Sequence, residues 1–241
     1  MVPESDYQYM NDSSTIISVI PARAGSKRIP GKNKLPFQNQ SMIEWSVKFS
    51  LSSNLIGKTI LSTDDEEIIE ICNKYNIWVH AREESLSRDE SSTFDLLKDI
   101  YFNYLKKKAD IIFLLQPTSP LREKTLIGDA LKLINENKNW SSLIEVFKKT
   151  SFTGKIVEGY WEASFPEKTR SQEIEPDFIP SGRLYAYNCK ETFEKNDALG
   201  DKVLPMMTEE WKNINIDEKE DIFKLNYIYK ALEKDYSYLV S

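Results

Sequence analysis

The chain has 241 residues, 40% of them hydrophobic, enough to bury one substantial core and at the upper end for a single domain. A formal net charge of −6 argues against nucleic acid as the main partner, because that footprint is usually basic. A lone histidine, His80, and two distant cysteines, Cys72 and Cys189, nearly exclude a histidine triad, a multi-ligand zinc site and a disulfide framework, while the lack of a ~20-residue apolar run and of a signal-like start predicts a soluble cytoplasmic protein.

Residues 1–14 have no periodic pattern and read as a loose tail before a single domain over 15–241. Thr15 to Ile20 predicts a buried strand. It breaks at Pro21 into a loop with Gly25, Ser26, Gly31 and four cations, Arg23, Lys27, Arg28 and Lys32. Glycines at 25 and 31 permit positive φ and a close backbone approach to a polyanion, and the cations supply charge and donors. The spacing is neither that of a P-loop nor that of a dinucleotide fold, yet it suits phosphate.

Ser41 to Leu51 predicts a helix capped by Ser41, and Thr59 to Leu61 a short strand delivering Ser62-Thr63-Asp64 at its end. Asp64 is expected to cap the next helix, whose face carries Ile68, Ile69, Cys72 and Tyr75. A strand over Ile77 to Val79 follows, then a helix begun at Ser92 or Thr93 with Phe94, Leu97, Tyr101 and Tyr104 inward. Ile111 to Leu115 reads as a parallel strand buried on both faces. It empties into Gln116-Pro117-Thr118-Ser119-Pro120-Leu121-Arg122, and a helix with Leu126, Ala130, Leu133 and Ile134 comes after. Strands alternating with helices predict an α/β fold with a doubly wound, mostly parallel sheet.

From Thr150 to Pro180 the rhythm is lost, with Lys155 to Trp161 as a hairpin arm; such a segment is functional or an interface. Arg183 to Tyr187 and Trp211 to Ile216 predict strands, and Ile222, Leu225, Tyr229 and Leu232 a last helix.

Pro21-Ala22-Arg23-Ala24-Gly25-Ser26-Lys27 with Lys32-Asn33, and Leu115-Gln116-Pro117-Thr118-Ser119-Pro120-Leu121-Arg122, resemble signatures of the acylneuraminate cytidylyltransferase family, which makes CMP-activated sialic and related ulosonic acids. Weaker matches are Ser62-Thr63-Asp64, Arg170-Ser171-Gln172, Gly182 with Tyr185, and Ile214-Asn215-Ile216-Asp217, so the resemblance runs from Ile17 to about Tyr229. Ser181 and Asn215 depart from the family's Asn and Asp, leaving open the sugar specificity and the strength of metal binding.

The resemblance implies a Rossmann-like nucleotidyltransferase fold and nucleotidyl transfer from CTP to an acidic sugar. It implies catalytic roles for Arg23, Lys32 and Asp217, and nucleotide contacts from Ala22, Arg23, Gly25, Ser26, Lys27, Lys32, Asn33 and Ser62. Gln116, Thr118, Arg122, Arg170, Gln172 and Tyr185 would meet the sugar, with Arg122 as a clamp for carboxylate or phosphate. Asp217 and Asn215, on one face of an extended segment, would hold Mg²⁺, with Mn²⁺ as an alternative. A homodimer joined through residues 150–182 is also implied. The alternatives are transfer to another acidic sugar or from another nucleotide, or a nucleotide-binding module that has lost turnover.

Overall fold

The computed structural model describes residues 15–26, 28–88, 90–166 and 168–240. In chain order the elements are β1 (Ile16–Pro21), β2 (Pro36–Phe37), β3 (Gln40–Ser41), α1 (Met42–Leu51), β4 (Lys58–Thr63), α2 (Glu66–Cys72), β5 (Trp78–Ala81), α3 (Glu84–Ser87), α4 (Thr93–Asp99) and β6 (Ile111–Leu114). Then come α5 (Leu126–Glu136), β7 (Ser142–Lys149), β8 (Gly154–Val157), β9 (Tyr160–Ala163), β10 (Asp177–Asn188), β11 (Val203–Thr208), α6 (Lys219–Ala231) and α7 (Glu233–Tyr236).

The main sheet has the order β11-β7-β10-β6-β1-β4-β5. Only β10 runs against its neighbours, β6 and β7, so the sheet is mostly parallel as the alternation of elements predicts. Strand β1 shows the layering. Its alternate residues Ile17 and Val19 pack with α4 residues Leu96 and Leu97, whereas Ile16 and Ile20 join Trp45, Phe49, Ala130 and Ile134 of α1 and α5 on the other face. Both faces are thus covered, which is why its apolar run is continuous. Trp45 is fully buried, packs tilted against Phe37 and edge-on to Tyr229 and donates its indole N–H to the Phe37 carbonyl; truncating such a residue costs about 3–5 kcal/mol.

Helix α1 begins as predicted. Ser41 and Glu44 form a reciprocal capping box, with the Ser41 N–H donating to Glu44 at 2.7 Å. In α2 the cap lies one residue later than expected: Asp65, not Asp64, accepts from the Glu67 and Ile68 N–H groups. The α4 helix starts from Ser92 and continues into a π-helical turn over Ile100–Tyr104.

The second half departs further from the sequence expectations. Strands β7 and β11 fill one side of the sheet, and β10 is longer than the predicted Arg183 to Tyr187. Trp211 to Ile216 is not a sheet strand: Glu210–Lys212 is a short 3-10 turn, and the extended run after it donates the Ile216 N–H to the Thr118 carbonyl at 2.8 Å. That contact, rather than a ladder, explains the alternation of buried Ile214 and Ile216. The expected hairpin arm is present as the separate pair β8–β9. None of the helices is long and apolar enough to cross a membrane, among the described residues.

Candidate active site at the carboxyl ends of the strands

Parallel strands β1 and β4 end side by side, and the loop after β1 is held open by neighbours rather than by itself. The Ala22 N–H donates to the Ser62 carbonyl at 2.9 Å, the Thr63 hydroxyl donates to the Ala22 carbonyl, and Asp64 accepts the Ala24 N–H at 2.8 Å. Asp64 therefore braces this loop instead of capping a helix. Ala22 is fully buried with both backbone groups engaged, so its expected contact with nucleotide has no free donor. Gly31 adopts φ +67° and starts the short turn Lys32–Lys34. Gly25 is not in the left-handed region; what it offers is open space where a side chain would stand. Lys27 lies outside the described residues, and Ser26 beside it is part-exposed.

The turn at Gly31 carries Lys32 inward. Its ammonium donates to Asp217 Oδ1 at 3.2 Å, joining residues 185 positions apart. Arg28 reaches the same oxygen at 3.2 Å, and Asn215 Nδ2 donates to the other carboxylate oxygen at 2.7 Å. Asn33 donates to the Arg23 carbonyl and Arg23 to that of Arg88, both at 3.4 Å. Arg23, Lys32, Asn33, Asn215 and Asp217 line a cleft of about 330 Å³ with Gln116, Pro117 and Thr118 from the loop after β6 and with Arg82, Arg88, Ser91 and Ser92. Arg23, Lys32, Arg82 and Arg88 face a single carboxylate, Asp217, across it, among the described residues. An acidic protein thus carries a cationic cleft, the charge sign a polyanion requires.

The loop after β6 is the other wall, and it corrects one expectation. Arg122 is not a clamp open to ligand: it is fully buried, and its guanidinium donates to the Gln116 carbonyl at 2.7 Å, the Arg183 carbonyl at 2.8 Å and the Ser46 hydroxyl at 3.0 Å. Gln116 and Thr118 do line the cleft. Gly182 in β10, at φ +76°, lets that strand press against them; a Cβ there would lie 3.1 Å from Ser119 Oγ and 3.2 Å from Gln116 Oε1. Ser181 is buried and hydrogen-bonded to Glu145, whose carboxyl is raised by burial despite the nearby Arg183.

Ser62 is also turned away from the cleft. It is fully buried and its hydroxyl shares a 3.0 Å hydrogen bond with His80 Nδ1, while His80 Nε2 lies 3.1 Å from Asp99. This Ser–His–Asp row resembles a hydrolytic triad, but a serine with no exposed surface has no access to substrate. Burial keeps the His80 pKa below its ordinary value, so the ring is neutral at pH 7. Tyr185 packs part-buried against the core rather than in the cleft, and burial raises its pKa. Arg170 and Gln172 are exposed on a 3-10 turn of the excursion and are not among the cleft's lining residues.

Arg82, Leu86, Arg88, Ser91, Ser92 and Thr93 supply cleft wall that the sequence reading passed over. Arg82 is the informative one: it lines the cleft, its Nε is buried without a hydrogen-bond partner, and burial lowers its pKa. A run of Arg82, Arg88, Ser91 and Ser92 between a strand and a helix start was the available signal.

No group of three or more His, Cys, Asp and Glu residues able to hold a metal occurs among the described residues. Asp217 with Asn215 is nonetheless a donor set that fits Mg²⁺, which commonly takes one or two carboxylates and completes its shell with water and substrate phosphates, once the Asn215 amide, which turns its nitrogen to Asp217 at 2.7 Å and its oxygen to Ser119 Oγ at 3.4 Å, reverses.

A cytidylyltransferase family profile matches residues 17–157. The N-acylneuraminate cytidylyltransferase of Streptococcus agalactiae serotype V is 32% identical over 232 residues, covering 91% of this chain and 55% of the relative. The CMP-N,N'-diacetyllegionaminic acid synthase of Legionella pneumophila is 28% identical over 200 residues, covering 80% of this chain and 86% of the relative. The chain spans about half the length of the acylneuraminate relatives it matches. Among solved structures, a CMP:2-keto-3-deoxy-manno-octonic acid synthetase complexed with CTP superposes with a TM-score of 0.64 at 16% identity, covering 90% of this chain and 99% of that one; the two share a fold.

Proposed function

This chain belongs to the cytidylyltransferase family, and from that premise we propose that it activates an ulosonic acid, a sialic acid or a related nonulosonic acid, with CTP to give a CMP-sugar and pyrophosphate. The observation that carries this reading is the meeting of Arg23, Lys32, Gln116, Thr118, Asn215 and Asp217, from three distant stretches of chain, in one cationic cleft.

In the proposed reaction the anomeric hydroxyl of the acid attacks the α-phosphorus of CTP and the bond to pyrophosphate breaks. Arg23 and Lys32 neutralise charge growing on the phosphoryl oxygens and the leaving group. Lys32 exchanges its Asp217 partner for a phosphate oxygen when the nucleotide enters, which leaves that carboxylate with Arg28 and Asn215 as partners. Asp217 and the Asn215 oxygen would hold Mg²⁺, which supplies Lewis-acid neutralisation of the phosphates. Asp217, the sole carboxylate lining the cleft among the described residues, is the side chain placed to accept the proton of the attacking hydroxyl.

Gln116 and Thr118 face the sugar in this reading. Arg170 and Gln172 reach a sugar only in a homodimer, where the excursion extends to the partner; exposed Phe152, Ile156, Tyr160 and Trp161 on and beside β8–β9 support such a contact. The same reading takes the reaction to be cytoplasmic, where CTP is available.

The test is to offer the purified chain CTP, UTP, ATP and GTP with sialic, legionaminic, pseudaminic and octulosonic acids and Mg²⁺, reading pyrophosphate and the product mass. A CMP-linked nine-carbon acid is expected. Preference for another triphosphate, or tight CTP binding without product under excess Mg²⁺ or Mn²⁺, would overturn the assignment in favour of another transferase or a binding module.

A further inference from the structure

Arg122 has no carboxylate within ion-pair reach among the described residues, although Glu123 and Glu145 both serve the neighbouring Arg183. A buried cation without a counter-ion is costly, and burial together with repulsion from Arg183 moves its pKa down to about 9, which still leaves it charged at neutral pH. What surrounds it is a set of oxygens, each from a different part of the fold. Nη2 takes the Gln116 carbonyl from the loop after β6, Nε takes the Arg183 carbonyl from β10, and Nη1 takes the Ser46 hydroxyl from α1. Its guanidinium lies 5.5 Å over the Phe49 ring, and its own carbonyl accepts the Tyr238 hydroxyl at 2.7 Å.

We propose that Arg122 is a positioning residue for the sugar-facing half of the cleft: by holding the Gln116 and Arg183 carbonyls in one rigid fork, it sets the Gln116 side chain against Gly182 and beside Asn215. The geometry supports this because Gly182 directly precedes Arg183, so one guanidinium fixes both sides of the 116–182 contact. A lysine has the charge and three donors, but all on one nitrogen, so it cannot reach three oxygens that Arg122 meets with three separate nitrogens. The phosphate-facing half is held separately, by Ser62, Thr63 and Asp64, and has no bond to Arg122 among the described residues. Damage at Arg122 therefore falls on the acid rather than on the nucleotide. Calling that half sugar-facing rests on the proposed function.

The experiment compares Arg122→Lys and Tyr238→Phe with the parent chain by amide hydrogen exchange over residues 116–121, by CTP affinity from calorimetry, and by KM for the acid at saturating CTP. Arg122→Lys is expected to speed exchange in that loop and to raise the acid KM at least about tenfold, the scale of a sub-ångström misplacement, with CTP affinity within about twofold of the parent. Tyr238→Phe, which leaves the guanidinium in place, shifts the same two readouts by a smaller factor, about threefold, and decides the matter if the lysine variant does not fold. Unchanged loop exchange, or CTP affinity falling in step with acid KM, would overturn the proposal. A parent chain that binds CTP but forms no product would remove the assigned function, while the exchange measurement would still decide the positioning role.

Discussion

Arg23 and Arg122 stand in loops of the same kind, each just past a central strand, yet one lines the cleft and the other is sealed beneath it. In the first loop the backbone is held by neighbours, through the Ser62 carbonyl, the Thr63 hydroxyl and Asp64, so the long cations are left to face a ligand. In the second, the long cation is turned inward to hold the backbone, and the short polar side chains of Gln116 and Thr118 face outward. A motif therefore states which residues are needed without stating which of them touch the ligand. Burial and hydrogen-bond partners make that division.

The contrast breaks most sharply at Lys32. Lys32→Ala is expected to lower turnover by about 10²–10³-fold, the scale of losing one preorganised contact to developing charge, with little change in Tm. Loss of turnover only together with loss of fold would contradict the division. Gly182→Ala acts on the other wall, where it strains a positive φ and pushes on Ser119 and Gln116. A drop in kcat/KM of about tenfold is expected there, with a few degrees lost in Tm.

Glu44 gives a control outside both loops. Burial alone would raise its pKa, but hydrogen bonds from Lys74, Ser41 and Tyr75 outweigh it and hold the value at about 2, below the ordinary 4.5. A depressed carboxyl pKa contributes stability that is full above about 4.5 and lost as pH falls toward 2. Glu44→Gln should thus lower Tm at pH 7, by a margin that shrinks across that acid window, with kcat/KM unaffected. A Tm difference independent of pH would contradict the ion-pair account.

The smallest effect sharpens the comparison further. Ser62→Ala is expected to keep kcat/KM within about twofold and to lower stability by about 1 kcal/mol through the lost His80 partner. A loss of CTP affinity in that variant beyond tenfold would return Ser62 to the ligand.

Much of this was legible because its signals are local. The apolar run into Pro21, the Ser41–Glu44 cap and the inward stripe of α4 depend on near neighbours, and the structure keeps them. Strands β7 and β11 were passed over because only their pairing with each other and with β10 settles them. Trp211 to Ile216 alternates for a real reason, but its partner is the Thr118 carbonyl and not a strand. The inward turn of Arg122 was hidden because it depends on Ser46 and Arg183, which are distant in sequence, and Arg82 was missed because its only signal was a loosely spaced run with Arg88, Ser91 and Ser92.

The central claim is that Arg23 and Lys32 embrace a triphosphate while Asp217 is released from Lys32. A crystal structure of the chain grown with CTP and Mg²⁺ tests it most directly. The account predicts the triphosphate between these two cations, with the Lys32 ammonium moved from Asp217 to a phosphate oxygen. A triphosphate bound elsewhere, with the Lys32–Asp217 pair unbroken, would contradict it.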